Sequence, residues 1–241
     1  MAVGGVGCFV KGFELVRKPG LRQYVIIPLI INVIVLGVMI MAGIAQFDSL
    51  TLAIAALLPE WLGFVSGFIS FLVALVTIVL GLFAFTIIAN IIASPFNAIL
   101  SEKVEELLVP GIVRPPINLG VMIVRTITRE FGKVMYLLPR LLGLVLVSLI
   151  PGVNALAPFA WILFGSWMMA VQYCDYAADN NQVSFADLRE RLNGHVFQAL
   201  LFGGCAYFLL AIPLVNLLLI PVAVAGGTVM WVERLRLSEA A

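Results

Sequence analysis

The sequence predicts an all-α integral membrane protein. It should have two long transmembrane helices, two helical hairpins interrupted by proline and asparagine, and amphipathic helices on the cytoplasmic side. Three observations predict this. Hydrophobic residues fill 63% of the 241 positions and charged residues only 11%, against roughly 25% charged in a soluble domain. The charges leave four long runs untouched: 23–47, 61–101, 141–174 and 196–232 contain no Asp, Glu, Lys or Arg. Each run is long enough to enter a hydrocarbon core, which a helix of about 20 residues spans. One such run fits a buried helix of a soluble protein, but four in one chain do not. Finally, the pattern Ile-Pro-x-Val-Asn-x-Leu occurs at Ile150–Leu156 and again at Ile212–Leu218. The same offset pairs Gly165 with Gly227 and Met168 with Met230, a weak internal repeat of hairpins. Residues 1–241 read as a single membrane domain.

Taken in order, the chain opens on a Gly-rich segment without the apolar block and cleavage site of a secretory signal. Lys11, Arg17, Lys18 and Arg22 precede the first span, which places the N-terminus in the cytoplasm by the positive-inside rule. That span runs from about Tyr24 to Ala45. The loop after it carries Asp48 and Glu60 and reads as external. The second run starts at Trp61, an interfacial residue type, and exceeds what a bilayer requires. Ser94-Pro95-Phe96-Asn97 should break or kink it, because proline lacks a backbone donor and disfavours helix in the residue before it. The charged stretch from Glu102 to Arg140 returns to the cytoplasmic side. Within it, Val104, Leu107 and Leu108 suggest one face of a short amphipathic helix, with Glu102, Glu105 and Glu106 off that face. Pro110 to Pro116 should be a loop. The two interrupted runs then make hairpins, and two geometries fit them. Six full crossings are one; hairpins that enter from the cytoplasm and return part-way are the other. The short arm from Leu141 to Ile150 favours the second, unless Lys133 and Arg140 are drawn into the membrane. Ser184-Phe185-Ala186-Asp187 reads as an N-capped helix start, and the C-terminal Glu233, Arg234 and Arg236 again fall inside.

The same residues narrow the chemistry. The net charge of +1 and the lack of a basic stripe argue against nucleic acid as a partner. Cys8, Cys174 and Cys205 are scattered and His195 stands alone, so neither a metal site nor a cofactor is expected. No nucleophile elbow and no Walker-type loop occurs, which argues against an enzyme and against ATP hydrolysis. Lys18-Pro19-Gly20-Leu21-Arg22 is the most informative short stretch. A glycine turn at a helix start, followed by an arginine, suits a tetrahedral oxyanion. Read from the residues alone, however, basic side chains before a first span more commonly face lipid headgroups. Arg129 and Lys133 lie at i and i+4 and repel unless a carboxylate or anion stands between them. Together with Glu102, Glu130 and Asp175 they are either a cap of salt bridges or the lining of a translocation path.

An ordered set of motifs adds to this. It comprises Lys18-Pro19-Gly20-Leu21-Arg22, Ala89-Asn90, Ala93-Ser94-Pro95-Phe96-Asn97, Arg129-Glu130 and Tyr136-Leu137-Leu138-Pro139-Arg140. Gln172-Tyr173-Cys174-Asp175-Tyr176 with Asp179-Asn180 follows, then Ser184-Phe185 and Pro221-Val222-Ala223-Val224. Together they resemble the CysZ family of bacterial sulfate permeases, from about Gly12 to Arg234. The resemblance implies sulfate uptake across the inner membrane for cysteine synthesis. It also implies two long membrane helices, two part-way hairpins and a homo-oligomer in the lipid bilayer, with sulfate bound at Gly20, Leu21 and Arg22. Some relatives carry a second arginine where this chain has Gln23, so the site here has one charge fewer. Glu102, Arg129, Glu130 and Asp175 are candidate path residues that the resemblance does not itself assign. The alternative is a membrane scaffold whose hairpins bind lipid or a partner.

Overall fold

The computed structural model describes residues 3–56, 66–112, 119–212 and 215–236. Among them are eight α-helices: α1 Gly5–Leu15, α2 Gln23–Ala55, α3 Ser66–Leu108, α4 Leu119–Ser148, α5 Ala157–Asn180, α6 Phe185–Asn193, α7 Val196–Leu210 and α8 Val215–Met230. A 3₁₀ turn at Asn154–Leu156 precedes α5 and a π turn at Trp231–Leu235 follows α8. No strand occurs among the described residues. The chain is thus an all-α protein. Four helical segments are long and apolar enough to cross a membrane: Gln23–Ala53, Gly67–Leu108, Thr128–Ser148 and Asn154–Asn180. Of the predicted external loop, Asp48 lies instead inside α2, which runs on to Ala55; Glu60 lies outside the described residues, as do Trp61, Arg114, most of the predicted Pro110–Pro116 loop, and Pro213 and Leu214 of the second interruption.

The described chain forms two compact units, Ile26–Phe96 and Met1–Val25 with Asn97–Ala241. The first holds most of α2 and α3. Their side chains point outward along most of their length: Val33, Ile34, Met41, Ile44, Phe71, Phe83 and Ile91 are all exposed. A soluble protein cannot leave so much apolar surface in water, whereas lipid covers it at no cost. A cleft of about 500 Å³ separates the two helices, lined by Leu36, Met39, Gly43 and Phe47 on one side and Ala74, Thr77 and Gly81 on the other.

Ser94–Asn97, expected to break or kink the run, does not end the helix: α3 continues through Pro95 to Leu108. Pro28, Pro139 and Pro221 also lie inside helices. Prolines are tolerated in membrane helices because neighbouring groups satisfy the freed carbonyl. The boundary between the two units nonetheless falls at Phe96, one residue beyond Pro95.

The second unit contains the core. Helix α1 packs along α8 and α7, and α5 packs along α7 and α8. Cys8, Phe9, Leu100, Val104, Ala170, Val171, Phe202, Ala223, Met230 and Trp231 meet in its interior. Small residues set the spacing. A side chain at Gly203 would run into the Ser166 carbonyl of α5, and one at Gly12 into the Val222 carbonyl of α8. Backbone-to-backbone approach of this kind is how membrane helices gain packing without a hydrophobic drive. The repeat-related glycines are used alike: Gly165 faces Tyr207 of α7, and Gly227 faces the Tyr173 backbone of α5.

The end of α3 corrects a sequence expectation. Residues 102–108 are not a separate amphipathic helix, and Leu107 is exposed. The buried face instead carries Leu100, Ser101, Val104 and Glu105. Ser101 Oγ bonds Thr228 Oγ1 of α8 at 2.8 Å, so a short polar contact sits among the apolar ones of Leu100 and Val104.

The hairpin arms differ in length. Helix α4 has 30 residues and α5 has 24, or about 45 and 36 Å at 1.5 Å per residue. Lys133 and Arg140 are part of α4, which therefore extends well before its charge-free segment Leu141–Ser148. Helix α7 has only 15 residues, or about 22 Å, less than a hydrocarbon core of about 30 Å, whereas the 16 residues of α8 pass directly into the π turn Trp231–Leu235.

Candidate functional site

Helix α1 ends at Leu15, and a run of turns carries the chain to Gln23. Gly20 has φ +91° with nothing near the place a Cβ would occupy, so the backbone conformation itself calls for glycine. The Lys18 carbonyl accepts from the N–H groups of Leu21 at 3.1 Å and Arg22 at 3.3 Å. Tyr24 and Val25 donate back to Leu21 and Arg22. Leu21 is buried in the core while Lys18, Pro19, Gly20 and Arg22 are exposed. An apolar anchor therefore fixes a turn whose outer rim is a glycine backbone and a guanidinium.

A second polar group lies between α4 and α5. Arg129 donates through Nε and Nη2 to one oxygen of Asp175, at 2.7 Å for Nε. Its Nη1 donates to the Val183 carbonyl at 2.6 Å and lies 3.6 Å from Asp179. Lys133 takes the other Asp175 oxygen at 2.6 Å and also pairs with Glu130 at 2.7 Å. The carboxylate needed between Arg129 and Lys133 is thus Asp175, whose side chain is 5% exposed. Two cations meet three carboxylates here, so an anion enters only by displacing one of them.

Local structure explains how Val183 comes to be in place. Helix α5 closes with Val183 N–H on the Ala178 carbonyl and Gln182 N–H on that of Asp179, both at 2.9 Å. This is a Schellman close, with Gln182 at φ 58° in the left-handed position usually given to glycine. Ser184 then caps α6, accepting from Asp187 N–H at 3.1 Å, as its sequence predicts.

Polar contacts continue along the hairpin. Trp167 Nε1 donates to the Tyr136 hydroxyl at 3.0 Å, and Trp161 Nε1 to Ser148 Oγ at 3.1 Å. With Arg129–Asp175 they form three rungs of one antiparallel pair.

Of the candidate path residues, Arg129, Glu130 and Asp175 come together through Lys133. Glu102 stands on a different helix, half-buried beside Lys103, which pairs with Glu106 at 2.8 Å. Sequence reasoning passed over Glu105. It is fully buried and accepts from Asn181 Nδ2 at 2.8 Å and Trp231 Nε1 at 3.1 Å. The available signal was its position beside Ser101 on the Leu100–Val104 face. Asp179 and Asn180 appeared only as part of a motif; Asn180 Nδ2 ties α5 to the Ala98 carbonyl of α3 at 3.1 Å. Among the described residues no cluster suited to a metal ion is present.

Residues 8–221 match the family described as sulfate transporter CysZ/etoposide-induced protein 2.4. Curated relatives agree over almost the full chain. A protein of Pseudomonas paraeruginosa named sulfate transporter CysZ is 44% identical over 235 residues, covering 96% of each chain. One of Pseudomonas fluorescens with the same name is 46% identical, covering 92% of this chain and 91% of its own. A third, from Vibrio cholerae, is 38% identical, covering 98% and 95%.

Proposed function

The chain belongs to the sulfate transporter CysZ/etoposide-induced protein 2.4 family, and from that premise we propose that it carries sulfate into the cell across the bacterial inner membrane, supplying sulfur for cysteine synthesis. The single observation that supports a site for this is the Gly20–Arg22 turn. Its backbone is closed on the Lys18 carbonyl, its Leu21 is buried, and its Arg22 is exposed at the start of a membrane-length helix. A guanidinium held this way offers a fork of N–H donors that matches two oxygens of a tetrahedral anion. The left-handed glycine leaves open space beside it for the ligand.

Arg129, Glu130 and Asp175 line the onward path in this reading, and sulfate passes when Arg129 exchanges Asp175 for it. Glu102 belongs to the same path at the end of α3. Both termini face the cytoplasm, as the basic residues before α2 favour. The protein works as a homo-oligomer. Support for that comes from α4, whose Phe131, Val134, Met135, Leu138 and Leu142 are exposed in the single chain, and from an α7 too short to line a full crossing alone.

The test is uptake of labelled sulfate by liposomes containing the purified protein, with Arg22→Ala alongside. Saturable uptake that falls at least tenfold in the variant is the expected result. Wild-type liposomes that take up no more sulfate than empty ones would end this reading and leave a lipid-binding scaffold as the better account.

A further inference from the structure

Two arginines that play no part in the uptake reading converge on one aromatic ring. Arg140 places its guanidinium carbon 3.6 Å from the centroid of Tyr136, one turn earlier on α4. Arg189 reaches the same ring from α6 at 4.5 Å and the ring of Phe185 at 5.0 Å. Tyr136 and Phe185 pack edge to face at 5.9 Å. Trp167 of α5 holds the Tyr136 hydroxyl. Three helices therefore fix the platform on which both cations rest.

Aromatic faces attract cations, but one ring does not neutralise two full charges. Sharing it brings them closer than the roughly 10 Å Debye length at 0.1 M salt, so solvent ions screen them only partly. Among the described residues neither guanidinium forms an ion pair. Arg140 gives one N–H to the Tyr136 carbonyl at 2.8 Å. Arg189 has a buried Nε with no acceptor. Arg129, nearby on α4, differs in that Asp175 and Val183 occupy all three of its nitrogens. A buried N–H without a partner is costly, and two guanidiniums held within about 8 Å of each other by one ring, each with unspent donors, define what would complete them. An acceptor of negative charge with several oxygens fits. Arg140 also stands where the charged part of α4 gives way to the charge-free Leu141–Ser148 segment, the level at which a helix entering lipid meets headgroups.

We propose that Arg140 and Arg189, set on the Tyr136–Phe185 platform, form a second site for a tetrahedral oxyanion, supplied either by the phosphate of an anionic lipid or by free sulfate. The site is separate from the Gly20–Arg22 turn and does not depend on it.

The test uses the full chain in dodecyl maltoside, which carries neither phosphate nor sulfate, on an Arg22→Ala background. In one arm labelled sulfate is titrated by equilibrium dialysis. In the other, added phosphatidylglycerol is counted on the protein by native mass spectrometry. The parent should bind in at least one arm, and adding R140Q and R189Q should weaken that binding at least tenfold. Loss in the sulfate arm identifies a free anion, and loss in the lipid arm alone identifies a headgroup. Circular dichroism checks that the variant folds; should it fail, R140Q alone, at an exposed position, carries the same comparison. Equal binding by variant and parent in both arms, or no binding by the parent in either, overturns the proposal. Since every protein in the test lacks Arg22, that outcome leaves the uptake reading untouched.

Discussion

Arg129 reaches across from α4 and holds one carboxylate oxygen of Asp175 with two of its nitrogens, while Lys133 takes the other oxygen. Both members of the Arg129–Asp175 pair are almost wholly enclosed, with side chains 7% and 5% exposed. The attraction is therefore set against desolvation of two ions, and the pair is far more costly to break than to replace.

The first prediction follows from that asymmetry. Arg129→Met or Asp175→Leu should each lower stability by up to roughly 3–5 kcal/mol, because each takes from a buried charge its main partner and leaves only Lys133 or Asp179 beside it. The double variant R129M/D175L should lose much less than the sum. Denaturation in detergent of all four proteins, read as a double-mutant cycle, checks this. Strictly additive losses would mean that the two groups do not form one buried pair.

Gly20 supplies the second. Its left-handed φ is the obstacle to other residues, since no atom stands in the way of a side chain. Gly20→Ala should cost about 1–2 kcal/mol and reduce sulfate uptake although Arg22 is retained. Gly20→Asn should lose less of both, because asparagine visits this region more readily. Parallel melting and uptake measurements decide it. A silent alanine variant would show that the turn does not need its geometry.

Gln182 presents the converse case, a residue with a side chain in the left-handed position that closes α5. Gln182→Gly should raise stability by about 1 kcal/mol while leaving the Val183 carbonyl under Arg129. A rise in the melting temperature in detergent is the readout.

The fourth concerns acid. Lys11 bonds Glu233 at 2.9 Å and holds its carboxyl below the ordinary value of 4.5. A depressed carboxyl contributes its stability above its unfolded value and loses it as pH falls through the folded one. The melting difference between wild type and Glu233→Gln should therefore be present at neutral pH, begin to fall below the ordinary carboxyl value of 4.5 and vanish on further acidification. A difference that persists in acid would rule this pair out as its source. The effect should be small, because the pair is partly open to solvent.

Much of this architecture is legible in charge alone. The absence of Asp, Glu, Lys and Arg from residues 23–47 and 61–101 marks α2 and α3, because lipid excludes those residues whatever the tertiary fold. The Ser184 cap is equally local, needing only a side-chain oxygen three residues before the N–H it accepts from. What the sequence hides is set by neighbours distant in the chain. Pro95 reads as a break because local rules count the lost donor and not the surroundings that tolerate it. Glu105 reads as a solvent-facing charge because its partners, Asn181 and Trp231, come from 76 and 126 residues away. Lys133 and Arg140 read as the end of a membrane segment, whereas the first is consumed by Asp175 and the second lies along Tyr136. Arg189 reaches its ring only because α6 packs against α4.

The arm α7 falls about 8 Å short of an ordinary hydrocarbon core. The surrounding lipid must take up that deficit by thinning, by admitting water to the Ile212 turn, or by leaving part of the depth to other chains. Each route has a free energy that depends on acyl length. A membrane of longer lipids strains the arm, and one of shorter lipids relieves it. The fatty-acid composition of the host should thereby act on this protein much as an effector would, with no binding pocket required.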